Sequence, residues 1–265
     1  MEPGGVALVT GAGRGLGRAV ALELARRGFD VVAGARDTSV VLPSDGPGRI
    51  TVERLDVTDL GTFTPPEGLR VLVNNAGYRG PYLAIEGTGL DEWRRTFETN
   101  LFGVAELTRR CLPALRATRG VVCNVASTGA FFPSPFYSVY RASKAALGVL
   151  NETLAIEVAP FGVRVIEITT GPVDTDMMRT SFSVRPADAI DDPMYAPMAE
   201  RQWANRVTIE PTPVDEEARG VVDQILTDDG PLRRPAVALE AEMVERWRAT
   251  TDEERLGAIR RAFGL

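Results

Sequence analysis

Apolar residues in this chain come mostly in short runs rather than in alternation with polar ones. Val6–Thr10, Val31–Ala35, Ile50–Leu55, Val71–Val73, Val121–Val125 and Val163–Ile168 are such runs, and Ala236–Leu239 reads as a last one. A strand covered on both faces has no polar side to present, so the pattern predicts parallel strands inside a sheet. Between the runs, apolar positions switch to helical spacing over Leu16–Arg27, over Leu90–Arg110 with an extension to Leu115, and over Tyr140–Ala159. Strand and helix alternating along the chain predict an α/β fold, a doubly wound parallel sheet (Rossmann-like) with helices on both faces. No repeat, low-complexity tract or linker interrupts the alternation, so residues 1–265 read as a single domain.

Two stretches break the pattern. Residues 36–49 (RDTSVVLPSDGPGR) join two strands but carry prolines and glycines, and should hold no full crossover helix. Residues 175–213 are long and proline-rich, with Met177, Met178, Phe182, Met194, Tyr195, Met198 and Trp203 among them. An irregular segment of that length inside a compact domain predicts a substrate lid.

Composition narrows the chemistry. The net charge is −6 with acids and bases interspersed, which argues against nucleic acid or an anionic membrane as partner. No apolar run is long enough to span a bilayer and no secretory signal is visible, so the chain is expected in the cytoplasm. Cys111 and Cys123 fit neither a disulfide framework nor a metal knuckle and read as buried small hydrophobes. The chain has no histidine, which excludes Ser-His-Asp and Cys-His catalysis, and no metal site is expected. Lysine is nearly absent as well: of 30 basic residues only Lys144 is not arginine. A chain that keeps one ammonium among guanidiniums either needs it there or carries it by chance.

The chemistry-bearing residues follow the ends of the runs. Thr10-Gly11-Ala12-Gly13-Arg14-Gly15-Leu16-Gly17 follows the first run and opens a helix. Glycines there let the backbone turn sharply and approach a pyrophosphate at the helix N-terminus, although such turns also serve packing. Asn74-Asn75-Ala76-Gly77 follows the fourth run, Asn100 lies within a helix, and Ser127 stands just past the fifth run. Tyr140 and Lys144, four apart at a helix start, share one face. A phenol titrates near 10 and an adjacent ammonium lowers that value, so the pair predicts a tyrosine able to exchange a proton with a carbonyl oxygen. Ser127 can bind the same oxygen, and Asn100 can hold a water linking Lys144 to solvent.

Glycine turn, Asn-Asn-Ala-Gly, helix asparagine, serine thirteen positions before the tyrosine, and Tyr-x-x-x-Lys occur here in order. That conjunction resembles the short-chain dehydrogenase/reductase family in its compact branch, near carbonyl reductases and steroid- or retinol-type dehydrogenases. The resemblance runs from Val6 to about Val237 and implies an oxidoreductase with Asn100, Ser127, Tyr140 and Lys144 as catalytic residues. It implies cofactor contacts from Gly11, Arg14, Gly15, Leu16, Gly17, Arg36, Asp56, Val57, Asn75, Ala76, Gly77, Tyr140, Lys144, Val173 and Thr175. Lys144 would also bind the nicotinamide ribose. Thr170 departs from the family's usual proline before Gly171, and the segments 37–49 and 57–70 are shorter than the family's helices there. Ala35 stands where a selector of the unphosphorylated ribose carries an acid, and Arg36 and Arg14 lie beside it. NADP(H) is therefore expected over NAD(H), with Asp37 as the residue that could favour NAD(H) instead. The aromatic residues Phe131, Phe132, Phe136 and Tyr137, with the apolar lid, point to an apolar or aromatic carbonyl or alcohol substrate. A homodimer or homotetramer through Leu90–Leu115 and Tyr140–Ala159 is implied. The competing reading is a regulator that senses the dinucleotide and catalyses nothing.

Overall fold

The apolar runs become the centre of the molecule. In the computed structural model, β1 (Val6–Thr10), β2 (Asp30–Ala35), β3 (Ile50–Arg54), β4 (Leu69–Asn74), β5 (Val121–Val125), β6 (Arg164–Thr169) and β7 (Arg233–Pro235) form one sheet. Its order is β3-β2-β1-β4-β5-β6-β7, and every pairing is parallel. The structure describes residues 1–183, 192–206 and 210–265, with side chains described except at 180–183 and 206.

Helices cover the sheet on both faces: α1 (Gly15–Arg26), α2 (Leu90–Phe97), α3 (Gly103–Thr118), α4 (Ser138–Val158), α5 (Asp176–Ser183), α6 (Ala196–Arg206), α7 (Val214–Leu226), α8 (Ala238–Arg248) and α9 (Asp252–Phe263). On one face Val20 and Leu24 of α1 and Val221 and Ile225 of α7 pack on Val9, Val71 and Ile166. On the other, Leu107 and Leu115 of α3 and Leu154 of α4 pack on Leu8, Leu72 and Val122. Each of Leu24, Leu107 and Ile166 is at most 1 % exposed, and burying such a side chain stabilises the fold by about 1.5–3 kcal/mol. Cys111 and Cys123 are buried, and burial pushes both thiols up to about 12, so neither is a reactive thiolate.

Chain order runs outward in both directions from β1 and β4. Between their carboxyl ends lies the switch point at which open α/β sheets bind ligands. The connections 36–49 and 57–68 hold no helix, as their composition requires. The expected helix from Leu90 onward is broken by a π-helical turn at Glu98–Phe102, which carries Asn100.

Three expectations are corrected. The last strand is Arg233–Pro235, not Ala236–Leu239. Its ladder is held by polar residues, with Arg233 pairing to Glu167 of β6, while Val237 becomes the N-cap of α8. The lid is not irregular throughout, because α5 and α6 lie within it and Pro197 falls in the first turn of α6, where proline is tolerated. Its residues 184–191 and 207–209, and the side chain of Phe182, lie outside the described residues. Finally, α7 is a full amphipathic helix against α1 that the run-and-break pattern leaves unassigned.

Two carboxylates are buried where α7 and α8 meet the end of β6. Glu240 accepts from the backbone N–H groups of Gly171 (3.0 Å) and Val237 (3.1 Å). Glu217 is 0 % exposed, and neither of its oxygens has a partner among the described residues. Burial, with the neighbouring charges of Glu240 and Glu216, pushes Glu217 up to about 8. A carboxyl raised from 4.5 when folded stabilises the fold fully below the unfolded value, and that contribution is lost as pH rises through about 8. Glu217→Gln, neutral at every pH, should match wild type in melting temperature near pH 4.5 and exceed it increasingly up to pH 9. A difference that stays constant across this range would show that Glu217 is not held protonated.

Candidate active site

The glycine turn is fixed from below by the Asn-Asn-Ala-Gly segment. Thr10 Oγ1 accepts from the backbone N–H groups of Asn75 and Ala76, both at 3.0 Å, and the Asn75 amide donates to the Thr10 carbonyl at 2.9 Å. A Cβ on Gly17 would stand 2.3 Å from Asn75 Nδ2 and 2.5 Å from the Gly11 carbonyl oxygen, so only glycine fits. Gly11 and Gly15 have φ of 64° and 56°, the left-handed region that glycine tolerates. No side chain caps the start of α1, where Arg14 is the exposed N-cap. The first amides of α1 are thus open to an anion. Gly15 faces Thr175, whose Cγ2 would lie 3.5 Å from an added Cβ. The turn and the segment after β6 therefore form two sides of one groove, and its open amides and Cβ-free floor fit a dinucleotide. Leu16 packs against the core below the groove.

One end of this groove is formed by β2 and the loop after β3, with Gly13 facing Ala35. Ala35 is buried at the end of β2, and Arg36 is exposed just beyond it. Asp37 accepts from the Ser39 amide (2.9 Å) and hydroxyl (2.7 Å), which engages its carboxylate within its own turn. Asp56 accepts from the Thr58 amide and hydroxyl at 3.0 and 2.8 Å. Burial pushes Asp56 up, but those bonds and the charges of Arg36 and Arg54 hold it below its ordinary value. Val57 is buried beside it.

At the far end, Val173 bridges Thr212, and the Thr175 hydroxyl donates to the Val173 carbonyl at 3.3 Å. Thr170 replaces proline without loosening the loop, because its hydroxyl donates to the Ala126 carbonyl at 3.1 Å and Glu240 holds the next amide.

Ser127, Tyr140 and Lys144 converge at the carboxyl end of β5. Ser127 caps a short 3-10 turn, its Oγ accepting from the Gly129 amide at 3.1 Å, and its hydroxyl also bonds the phenol of Tyr140. Lys144 is 6 % exposed, and its Nζ donates to the Val125 carbonyl at 2.7 Å. Burial brings the ammonium down to about 8 against the opposing charge of Glu167. The expected lowering of Tyr140 by Lys144 is absent. Burial pushes Tyr140 up to about 12, with Ser127 and the charge of Arg79 pulling against it. The reason is geometric: Lys144 Nζ bonds a backbone carbonyl and stands 5.9 Å from the Tyr140 ring centre.

Asn100 is fully buried, and its side chain is already engaged. Its amide donates to the Tyr78 carbonyl (2.8 Å) and Ser143 Oγ (3.0 Å), and its carbonyl accepts from the Tyr78 amide (2.8 Å). It clamps the backbone after Gly77 rather than pointing toward Lys144.

Over Tyr140 lies an aromatic stack. Tyr137 is 4.7 Å from Tyr140 and Tyr82 is 4.9 Å from Tyr137, with the Arg79 guanidinium 4.6 Å above Tyr82. Phe136, Tyr195 and Met198 pack together behind it, so these lid residues do meet the 131–137 loop. Met194 does not: it is 82 % exposed, because it precedes α6 on the solvent side. Phe131 stacks on Trp247 of α8 at 4.4 Å. Arg79 and Trp247 were not legible as site residues, since one more arginine has no contrast in this chain and Trp247 is remote in sequence. Among the described residues no cluster of metal-ligating side chains occurs, and no helix is long and apolar enough to cross a membrane.

Comparisons with known proteins show what the chain is similar to. Residues 5–60 and 62–185 match the family model described as short chain dehydrogenase. The chain is 34 % identical over 238 residues to Short-chain dehydrogenase RED1 of Pyricularia oryzae, covering 83 % of this chain and 80 % of that one. It is 32 % identical over 221 residues to an NADPH-dependent 1-acyldihydroxyacetone phosphate reductase of Schizosaccharomyces pombe, covering 79 % and 74 %. A short chain dehydrogenase of Burkholderia cenocepacia, solved in complex with NADP, superposes with a TM-score of 0.76 at 28 % identity, covering 97 % of this chain and 98 % of that one.

Proposed function

Because the chain belongs to the short-chain dehydrogenase family, whose members are NAD(P)-dependent oxidoreductases, we propose that it moves a hydride between NADP(H) and a carbonyl or secondary alcohol, with Tyr140 as general acid and base. The observation that carries this reading is the convergence of Ser127, Tyr140 and Lys144 at the end of β5, beside a groove with open helix amides. When bound, the nicotinamide supplies or takes the hydride. Residues of the chain do the rest.

A phenol held near 12 stays protonated at neutral pH and is ready to donate to a carbonyl oxygen. Ser127, already bonded to that phenol, presents a hydroxyl to the same oxygen. Lys144 holds positive charge beneath the site and would bond the nicotinamide ribose in place of the Val125 carbonyl. Asn100, with its amide used on Tyr78 and Ser143, keeps the Asn75–Gly77 wall in place and has only its main chain left to hold a water. Gly11, Gly15, Leu16 and Gly17 would hold the pyrophosphate, Asp56 and Val57 the adenine, Asn75, Ala76 and Gly77 the adenosine ribose, and Val173 and Thr175 the carboxamide. The aromatic wall of Phe131, Phe136, Tyr137 and Tyr195 supports an apolar or aromatic substrate. Residues 1–265 act as one catalytic domain on this reading. Exposed Phe102 just before α3, and Val149 and Ile156 on α4, support assembly through these helices.

The preference for NADP(H) rests on the adenine end. Ala35 offers no carboxylate, Asp37 is turned to Ser39, and the exposed Arg14 and Arg36 can clamp a 2′-phosphate.

Tyr140→Phe should lower turnover of ketones by about 10²–10⁴-fold while leaving the NADP dissociation constant nearly unchanged, because only the proton donor is lost. Retention of more than about a tenth of wild-type turnover would remove Tyr140 from the role. Arg36→Ala should cut the ratio of NADPH to NADH catalytic efficiency by about ten-fold or more, the effect of losing one charge-assisted bond. An unchanged ratio would mean that Arg36 does not read the phosphate.

A further inference from the structure

Arg79 follows the Asn74–Gly77 turn and lines a cavity together with Leu83, Glu92, Phe136, Tyr137 and Tyr140. Its guanidinium carbon lies over the Tyr82 ring, 4.6 Å from the ring centre, at the outer end of the ring stack that reaches Tyr140. Stacking uses the face of a guanidinium and leaves its N–H groups in the ring plane free for acceptors. Two of its nitrogens, Nε and Nη1, are shut off from solvent and have no acceptor among the described residues. Buried donors without acceptors are rare in native proteins, and each calls for a partner.

The nearest acid does not supply one. Glu92 faces the same cavity, but its carboxylate is bonded by the Tyr78 hydroxyl and lies 3.5 Å from Thr96 Oγ1. No ion pair between Glu92 and Arg79 occurs among the described residues. A positive charge therefore lines the same cavity as Tyr140, close enough to favour its ionised form, with donor capacity unused.

We infer that Arg79 is a specificity-determining residue, and that the substrate carries a carboxylate a few bonds from its reacting carbonyl, which occupies the vacant donors of Arg79. The rest of such a substrate is apolar, matching Phe136, Tyr137 and Leu83 around the cavity. The free space there is ≈ 10 Å³, enough for about one water, so a substrate enters by turning Tyr137 or Tyr82 out of the stack. This inference rests on the hydride-transfer reading above, but binding of the carboxylate can be read without turnover.

The test compares aryl keto acids of two spacings, benzoylformate and 3-benzoylpropionate, with their methyl esters, which keep the carbonyl and ring and remove the charge. Wild type should favour the acid of at least one pair by about ten-fold or more in kcat/KM, and Arg79→Leu should lower that acid-to-ester ratio by about ten-fold or more. Arg79→Lys should recover part of the ratio, since charge returns without the planar fork. Should Arg79→Leu fail to fold, Arg79→Gln is read the same way. A ratio unchanged by substitution, or a preference for the esters in both pairs, overturns the inference. In parallel, protection of the protein from thermal unfolding by each acid is measured with NADP⁺ present. Protection in wild type that is lost in the Arg79 variants, with no ketone turned over, supports Arg79 and rejects the reductase reading. Turnover of neutral ketones with neither binding nor turnover of the acids rejects Arg79 alone.

Discussion

Lys144 carries an ammonium almost wholly withdrawn from water, and a run of buried polar contacts is built around it. Burial brings the ammonium down to about 8. What holds it there is the Val125 carbonyl at 2.7 Å and the negative charge of Glu167, buried on the neighbouring strand. Glu167 in turn takes bonds from Asn151 (3.0 Å) and Arg233 (3.2 Å), and Asn151 joins Asn124 and Asn74 in a row across β4 and β5. A polar chain of this kind inside a sheet ties its members together, although Asn74 Oδ1 finds no partner among the described residues, and it links the ends of β4, β5 and β6. Those three ends carry Asn75, Ser127 and Gly171, the three sides of the site.

The same burial sets the state of Tyr140. Side by side on one helix face, a phenol and an ammonium suggest mutual neutralisation, with the phenol lowered. Desolvation outweighs that attraction here because the lysine nitrogen bonds a backbone carbonyl. The chain without ligand thus presents a protonated acid rather than a phenolate.

How far the sequence discloses this depends on the kind of interaction. Strands β1, β2, β4 and β5 were legible because a strand covered on both faces is mainly apolar, as in Val121–Val125, where only Asn124 is polar, whereas β3 at the sheet edge is mostly exposed. β7 was not, because Arg233 and Arg234 enter the sheet through charge pairing and backbone bonds, and the apolar run after them belongs to a helix cap. Ser127, Tyr140 and Lys144 were legible from spacing along one element and its neighbour. Their protonation was not, since it follows from where Lys144 Nζ finds its acceptor. Asn75 and Asn100 were legible as residues but not as clamps, their amides being directed at Thr10, Tyr78 and Ser143. Arg79, Glu167 and Glu240 depend on contacts between distant segments and leave no local signature. Met194 shows the converse, an apolar residue in the lid that faces solvent.

The most direct test of this account is the ionisation of Tyr140 without cofactor, read as the difference in tyrosinate absorbance between wild type and Tyr140→Phe as pH is raised. With Tyr140 held near 12, the difference should stay flat to about pH 10.5, where less than a tenth of the phenol is ionised. A half-ionised Tyr140 below about pH 9 would contradict the account, because the lysine would then be acting on the phenol and burial would not be the controlling force.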